Sequence, residues 1–288
     1  MKLCILILKT PTNSIVISKK GFFGCENVFS LIKRIQTINI VNPQVKPKAP
    51  FKTFFEQEIM EQPEAIIKCL GFGARLSGEP GSAKLGGFDN LKAELSGIKH
   101  LIIVASGTSY YAGLYGARVF KLLGCFDTVQ VLVASEFSEV DFPEEGAGVL
   151  LISQSGETAD VYRALTIAKN KGIPSMGIVN VVGSLIASNV DCGIYLNTGR
   201  EVSVPATKSF TSQIVALILA SLWFSHHKGV KSKFKLRTEI VTQLHSLPIT
   251  VGKTLYDIDE KCKKLANFLT DEEHLYILGK GLGDSIAK

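Results

Sequence analysis

The sequence has no Walker-type Gly-Lys-Ser/Thr, no CxxC pair and no apolar run long enough to cross a bilayer. The first absence argues against a nucleoside triphosphate held with magnesium. Its six cysteines, Cys4, Cys25, Cys69, Cys125, Cys192 and Cys262, are scattered, with no histidine nearby at metal-ligand spacing. They are expected to be reduced, mostly buried thiols in a reducing compartment, not a disulfide frame or a zinc site. The start, Met1 to Lys9, has a short apolar core broken by Lys9 and no small-residue cleavage site after it, so no signal peptide is expected. The run Ile214 to Phe224 falls below the roughly 20 residues a spanning helix needs. A soluble, cytoplasmic protein with no membrane partner is the expectation.

With 46% hydrophobic and 20% charged residues over 288 positions, the chain is an ordinary globular one of one to two domains. Its net charge of +6 is local: residues 1–52 hold nine Lys or Arg against the single acid Glu26, so the remainder is slightly acidic. A solvated basic segment accounts for this. Neither aromatic interleaving nor a recognised motif accompanies the charge, so no nucleic-acid partner is expected.

What is present is concentrated in one turn, Ser153-Gln-Ser-Gly-Glu-Thr-Ala-Asp160. It follows the apolar run Gly148 to Ile152 and precedes the helical pattern Asp160 to Lys169, a strand–turn–helix arrangement. Such a turn sets hydroxyls and unpaired N–H groups at the positive end of a helix dipole, where a phosphate is stabilised. It contains no lysine or arginine, so the expected ligand is a small phosphomonoester held by neutral donors. Ser155 and Thr158 could equally serve only as helix caps, and one turn does not decide between the two. A second turn of the same kind, Ser106-Gly-Thr-Ser109, closes the preceding strand, and a third, Glu201 to Ser209, leads into a helix near Thr207. Two hydroxyl-rich helix starts in one parallel fold make coincidental capping less favoured.

Apolar runs at 101–105, 129–134, 148–153, 175–180 and 193–196 alternate with helical periods at Thr108 to Leu123, Glu157 to Lys171 and Ser184 to Asn189. This predicts an α/β fold: a doubly wound parallel sheet with helices on both faces, and ligands beyond the carboxyl ends of the strands. Long helices are expected at 207–227 and 234–269, then a final strand, Leu275 to Leu278. Upstream, a helical pattern from Thr53 to Leu70 is kinked or divided at Pro63, and the glycine-rich stretch Gly71 to Gly87 is expected to loop across the surface. Ser14 to Ser18 reads as a short strand, Val28 to Ile38 as strand or helix, and Val41 to Pro50, with three prolines, as an extended linker.

Ser106-Gly-Thr-Ser-Tyr110, the 153–160 turn, Asn180 with Gly183-Ser184, and Ala206-Thr-Lys-Ser-Phe-Thr-Ser-Gln213 occur in an order and spacing that, with Gln57 to Glu64, resemble the isomerase half of the glutamine–fructose-6-phosphate aminotransferases. The resemblance runs from about Phe51 to the last residue. It implies a sugar-isomerase (SIS) domain over 97–230, preceded by a linker and helical segment over 48–96. It further implies a connecting helix and the start of an incomplete second SIS domain over 231–288. Carried over, it puts Thr108 and Ser109 of the first turn, and Ser153, Gln154, Ser155 and Thr158 of the second, around fructose 6-phosphate or glucosamine 6-phosphate. Ser106 stands where the family usually has cysteine. Ala206 stands where it usually has serine, so the third turn is left out of the expected site.

No metal or organic cofactor is implied. The family draws its general base and imine-forming lysine from a Glu-x-x-x-Lys-x-x-Glu helix and a histidine of the second SIS domain, and Lys288 precedes the matching lysine position. No catalytic residue is therefore assigned; His100, His226, His227, His245 and His274 are expected to be surface or packing histidines. Cys4, behind Lys2 and Leu3 and not followed by glycine, does not match the family's amino-terminal catalytic cysteine, and residues 1–47 read as a basic extension, a remnant of a glutaminase domain. The resemblance also implies a homodimer. Two other readings stay open: an amino-sugar-phosphate deaminase or isomerase of the same superfamily, and a non-catalytic phosphosugar sensor.

Overall fold

The structure, a computed structural model, describes residues 46–288 together with the backbone of two short strands nearer the amino terminus. Those strands, β1 (Leu8–Lys9) and β2 (Ile15–Val16), pair antiparallel with Leu8 opposite Val16. The expected strand at 14–18 is thus present in part. The expectations for Val28 to Ile38 and for residues 41–45 of the linker lie outside the described residues, as do Cys4 and Cys25.

Residues 48–288 form a second unit built on five parallel strands: β3 (His100–Ala105), β4 (Thr128–Val133), β5 (Ala147–Ser153), β6 (Ser175–Val179) and β7 (Cys192–Tyr195). Their spatial order is β4-β3-β5-β6-β7. The chain moves from β3 outward to β4, then returns to the other side of β3 for β5 and continues in that direction. The switch point of this doubly wound sheet therefore lies between β3 and β5, whose register pairs Ala105 with Ile152. In folds of this kind a crevice opens there, beyond the carboxyl ends of the strands.

Strand residues alternate between two apolar clusters, as period-two side chains must. Leu101, Ile103, Leu150, Ile152 and Ile178 face one side, against α5 (Thr108–Leu122) and α7 (Lys208–His227). Ile102, Val104, Val149 and Leu151 face the other, against Val161, Ala164, Leu165 and Ala168 of α6 (Ala159–Asn170). Helix α7 is the centre of the larger cluster: Leu217, Ala220, Leu222, Trp223 and Phe224 are all buried. It approaches α5 so closely that a Cβ at Gly116 would lie 2.8 Å from Leu217 Cδ2. At 20 residues α7 is longer than the run Ile214 to Phe224, and long and apolar enough to span a bilayer; 72% of its most apolar window is packed inside the fold, so it serves as a core helix.

The helical pattern at 53–70 is divided as anticipated, into α1 (Phe54–Met60) and α2 (Gln62–Cys69), with Pro63 near the start of α2, where a missing N–H costs nothing. Short helices α3 (Gly86–Asp89) and α4 (Lys92–Ser96) lead into the sheet. After α7, helix α8 (Phe234–Phe268) packs through its first half, where Arg237, Leu244 and Pro248 are buried, and α9 (Asp284–Ala287) ends the chain.

Three local expectations are corrected. Ser184 to Asn189 forms successive turns instead of a helix: only isolated i→i−4 bonds form, Ser188 N to Ser184 O (2.9 Å) and Val190 N to Ile186 O (3.0 Å), while Leu185 and Ile186 N–H dock on Glu157 Oε1 (2.8 Å) and Gly156 O (2.9 Å). The stretch Gly71 to Gly87 lies across the surface only in part: Phe72 and Ser77 to Pro80 are exposed, but Leu76, Ser82, Ala83 and Leu85 are buried, and Arg237 Nε donates to Gly81 O at 2.9 Å. Leu275 to Leu278 is exposed coil, since no neighbouring strand among the described residues takes up its backbone groups.

Candidate functional site

A cavity of about 240 Å³ opens at the switch point. Its size suits a small ligand, below the roughly 300–1,000 Å³ of drug-sized sites. The first turn supplies Ser106, Thr108 and Ser109; the second supplies Ser153, Gln154, Ser155 and Thr158. All six expected site residues therefore line one space. The third turn lines it too, through Glu201, Ser203, Val204 and Ala206. Leaving that turn out on the evidence of Ala206 alone overlooked its main chain and its neighbouring serine; the signal was the hydroxyl-rich helix start itself.

The capping explanation for these hydroxyls fails locally. Thr158 is the residue before α6, yet its side chain makes no cap hydrogen bond; its Oγ1 lies 3.0 Å from Ser153 Oγ instead. Gly107 precedes α5, again with no side-chain cap. Ser153 Oγ accepts from Gly156 N (3.0 Å) and Ser155 Oγ from Glu157 N (3.1 Å), folding the second turn on itself. Among the described residues, the N–H groups of Ser155, Thr158, Ala159 and Asp160 donate to no main-chain or side-chain acceptor. Together with the dipole of α6 they form a cradle of partial positive charge.

The cradle is fixed from behind. Gly156 has φ +69°, which favours glycine, and a Cβ there would fall 1.9 Å from Ser184 Oγ. Ile186 N–H binds Gly156 O, and the Glu157 carboxylate accepts Leu185 N–H, which engages that acid with the main chain behind the turn. Asn180 links this support to the approach of the third turn: its Oδ1 accepts from Thr198 N (3.0 Å) and Thr198 Oγ1 (2.8 Å), while its Nδ2 donates to Gly199 O (2.7 Å).

On the third side, Glu201 accepts from Thr207 N (3.0 Å), Ser209 N (3.1 Å) and Ser209 Oγ, so it caps α7. The α1–α2 segment holds this turn from outside. Glu58 accepts from Val202 N (2.5 Å) and Ser203 N (3.3 Å), Lys208 Nζ pairs with Glu61 (2.6 Å), and Thr211 Oγ1 donates to Gln62 Oε1 (2.6 Å). Burial alone would raise the Glu61 pKa, but hydrogen bonds from Lys208 and Gln57 and the Lys208 charge hold it below its ordinary 4.5. Gln213, buried in α7, donates Nε2–H to Ser109 Oγ at 2.9 Å.

No lysine, arginine or histidine lines the cavity among the described residues, and its one carboxylate, Glu201, is occupied by α7. The arrangement can bind an anion and orient what is attached to it; it offers no free base at the cavity wall. The histidines lie elsewhere: His100 meets Thr128, His226 meets Glu79, His227 packs at a tilt against Trp223, and His245 and His274 are exposed. Burial pushes the Cys69, Cys125 and Cys192 thiols up to about 12, so they stay protonated; Cys262 is exposed. No cluster of three or more metal-ligating side chains occurs among the described residues.

Comparison with known proteins places this geometry. Residues 94–222 match the family model of the SIS domain. Glutamine–fructose-6-phosphate aminotransferase [isomerizing] 2 of Mus musculus is 35% identical over 250 residues, covering 86% of this chain and 36% of that protein. The aminotransferase of Bacteroides thetaiotaomicron is 32% identical over 287 residues, covering 96% of this chain and 46% of its own length. Among solved structures, the C-terminal domain of glucosamine-fructose-6-phosphate aminotransferase from Francisella tularensis superposes with a TM-score of 0.72 at 29% identity, covering 84% of this chain and 66% of that one. The chain thus spans between about a third and a half of the length of these curated relatives.

Proposed function

Because residues 94–222 belong to the SIS domain family and the chain matches the isomerase half of the glutamine–fructose-6-phosphate aminotransferases, we propose that its cavity binds a hexose 6-phosphate, fructose 6-phosphate or glucosamine 6-phosphate, in amino-sugar synthesis. The observation that carries the reading is the convergence of two uncapped, hydroxyl-rich helix starts on one cavity at the switch point of the sheet.

In this reading the phosphate sits over the second turn. Its oxygens accept from the Ser155 and Thr158 hydroxyls and from the free N–H groups at the start of α6, with Thr108 and Ser109 closing the other side. A phosphomonoester carries about −1.5 to −2 charges near neutrality, and α6 presents about half a positive charge at its amino terminus. Dipole and neutral donors replace a lysine or arginine, which keeps the anion site narrow and the binding reversible. The sugar then extends toward the third turn, past Ser203, Val204 and Ala206. Ala206 offers a methyl group there and no hydrogen bond, so main-chain groups and Ser203 must supply whatever polar contact the sugar receives on this wall.

Aldose–ketose interconversion moves a proton between adjacent carbons and needs a general base. The cavity wall presents none that is free, so the role proposed for these residues is to bind and orient the sugar phosphate while another element supplies the base. Aminotransferase and isomerase activity, in this proposal, belong to the assembly that includes this half. We extend the proposal to a cytoplasmic homodimer: Ile258, Leu265 and Phe268, at helical spacing on one face of α8, are exposed, an apolar surface that a second copy would cover. Light scattering tests that association; a monomer at all concentrations removes it.

Calorimetric titration with fructose 6-phosphate tests the central reading. Saturable binding is expected, with inorganic phosphate competing and fructose, lacking the phosphate, not binding. Equal affinity for fructose and fructose 6-phosphate would overturn the phosphate assignment.

A further inference from the structure

We propose that Glu58, which lies outside the SIS domain, is a positioning residue that sets how well the cavity holds the sugar part of its ligand. The inference rests on the phosphosugar reading above. The third turn needs such support. Among the described residues, 199–206 take part in no main-chain to main-chain hydrogen bond, so side chains hold the turn. Asn180 secures its start at Thr198 and Gly199, and Glu201 fastens its end to α7. Between those anchors, at the residues that face the cavity, the support is Glu58, which receives the N–H groups of both Val202 and Ser203.

Glu58 is only 2% exposed, and among the described residues it has no ion-pair partner. A buried carboxylate compensated by main-chain N–H groups alone holds those groups strongly, since hydrogen bonds to a charged acceptor exceed neutral ones. It orients Val202 and Ser203 and thereby places Ser203 and Val204 on the cavity wall. The phosphate cradle at 153–158 is tied down separately, by Ile186 and Asn180. Loosening Glu58 should therefore spare the anion subsite and damage the sugar wall. Contacts of Glu61 with Lys208 and of Gln62 with Thr211 join the same α1–α2 segment to the start of α7. The wall is thus built partly by residues that precede the domain.

The test compares two probes on the full chain, inorganic phosphate and fructose 6-phosphate, for wild type and Glu58→Gln. The amide keeps the volume but turns an NH₂ group toward an N–H donor. We expect fructose 6-phosphate affinity to fall roughly tenfold, the order of one charged hydrogen bond, while phosphate affinity stays within about twofold, well under the effect of such a bond. A parallel loss for both probes would mean a merely structural role and overturn the inference, as would no loss for either. Should Glu58→Gln not fold, Glu58→Asp, which keeps the charge and withdraws it by one methylene, carries the same comparison. Absence of sugar-phosphate binding by the wild type would instead remove the reading beneath it, and the inference with it.

Discussion

Replacing Gly156 by alanine tests the phosphate cradle where its geometry is tightest. The backbone there has φ +69°, and an added Cβ would meet Ser184 Oγ at 1.9 Å, Ser184 Cβ at 2.5 Å and Val179 Cγ1 at 2.7 Å. The left-handed conformation costs a non-glycine residue about 1–2 kcal/mol. Overpacking adds about 1–3 kcal/mol, so a total of roughly 3 kcal/mol is expected. In a domain of this size that lowers the melting temperature by about 6–12 °C. Gly172 provides the control. It has nearly the same backbone, φ +67°, at the end of α6, but nothing lies within 4 Å of an added Cβ. Gly172→Ala should therefore show only the strain component, about 1–2 kcal/mol, and unchanged ligand affinity. Calorimetric melting of both variants, with fructose 6-phosphate titration of each, separates collision from strain. Equal melting temperatures for the two variants, or unaltered affinity in Gly156→Ala, would refute the reasoning that the 184–186 turn fixes the cradle.

Further consequences are accessible to the same instruments. Ser155→Ala combined with Thr158→Val should weaken phosphosugar binding by at least about a hundredfold, two hydrogen bonds to a charged group, while the melting temperature stays close to wild type because neither hydroxyl caps α6. Asn180→Ala strands Thr198 and Gly199, at a cost of about 2 kcal/mol in stability, and should loosen the third turn while the second, held by the main-chain bond from Asn180 N to Gln154 O, keeps its place. The Glu61 carboxyl titrates below its ordinary 4.5 in the folded state, so its contribution to stability is complete above that value and is lost as the pH falls through the lowered one. Acid unfolding should accordingly flatten in Glu61→Gln over that range; an unchanged profile would show that the pair with Lys208 does not couple to folding.

The sheet was legible because its strands are short, largely apolar runs, and for the central β3, β5 and β6 burial on both faces leaves that pattern with few alternatives. The helices α5, α6 and α7 were legible within two residues at their starts for the same periodic reason. Local pattern failed where tertiary bonds decided. Ser184 to Asn189 has helical periodicity, but it stops at isolated turns docked through Leu185 and Ile186 N–H on Glu157 and Gly156. Leu275 to Leu278 has strand composition, but a strand exists only beside a partner. At the site, the first two hydroxyl-rich turns were legible from motif and spacing, and the resemblance to a known family named their six hydroxyl- and amide-bearing residues. The contribution of Glu58, which bonds to residues 144 and 145 positions away, could not, since nothing local marks it as a partner of the third turn. Ala206 misled for a related reason: a missing hydroxyl said nothing about the position of the backbone around it.

The most direct measurement is a crystal structure of the chain with fructose 6-phosphate. The account predicts the phosphate at the amino terminus of α6, its oxygens within hydrogen-bond distance of Ser155, Thr158 and the adjoining N–H groups, with no lysine or arginine in contact and the sugar against the 201–206 turn. A phosphate bound elsewhere on the chain, or held by basic side chains while this cradle holds only water, would contradict it.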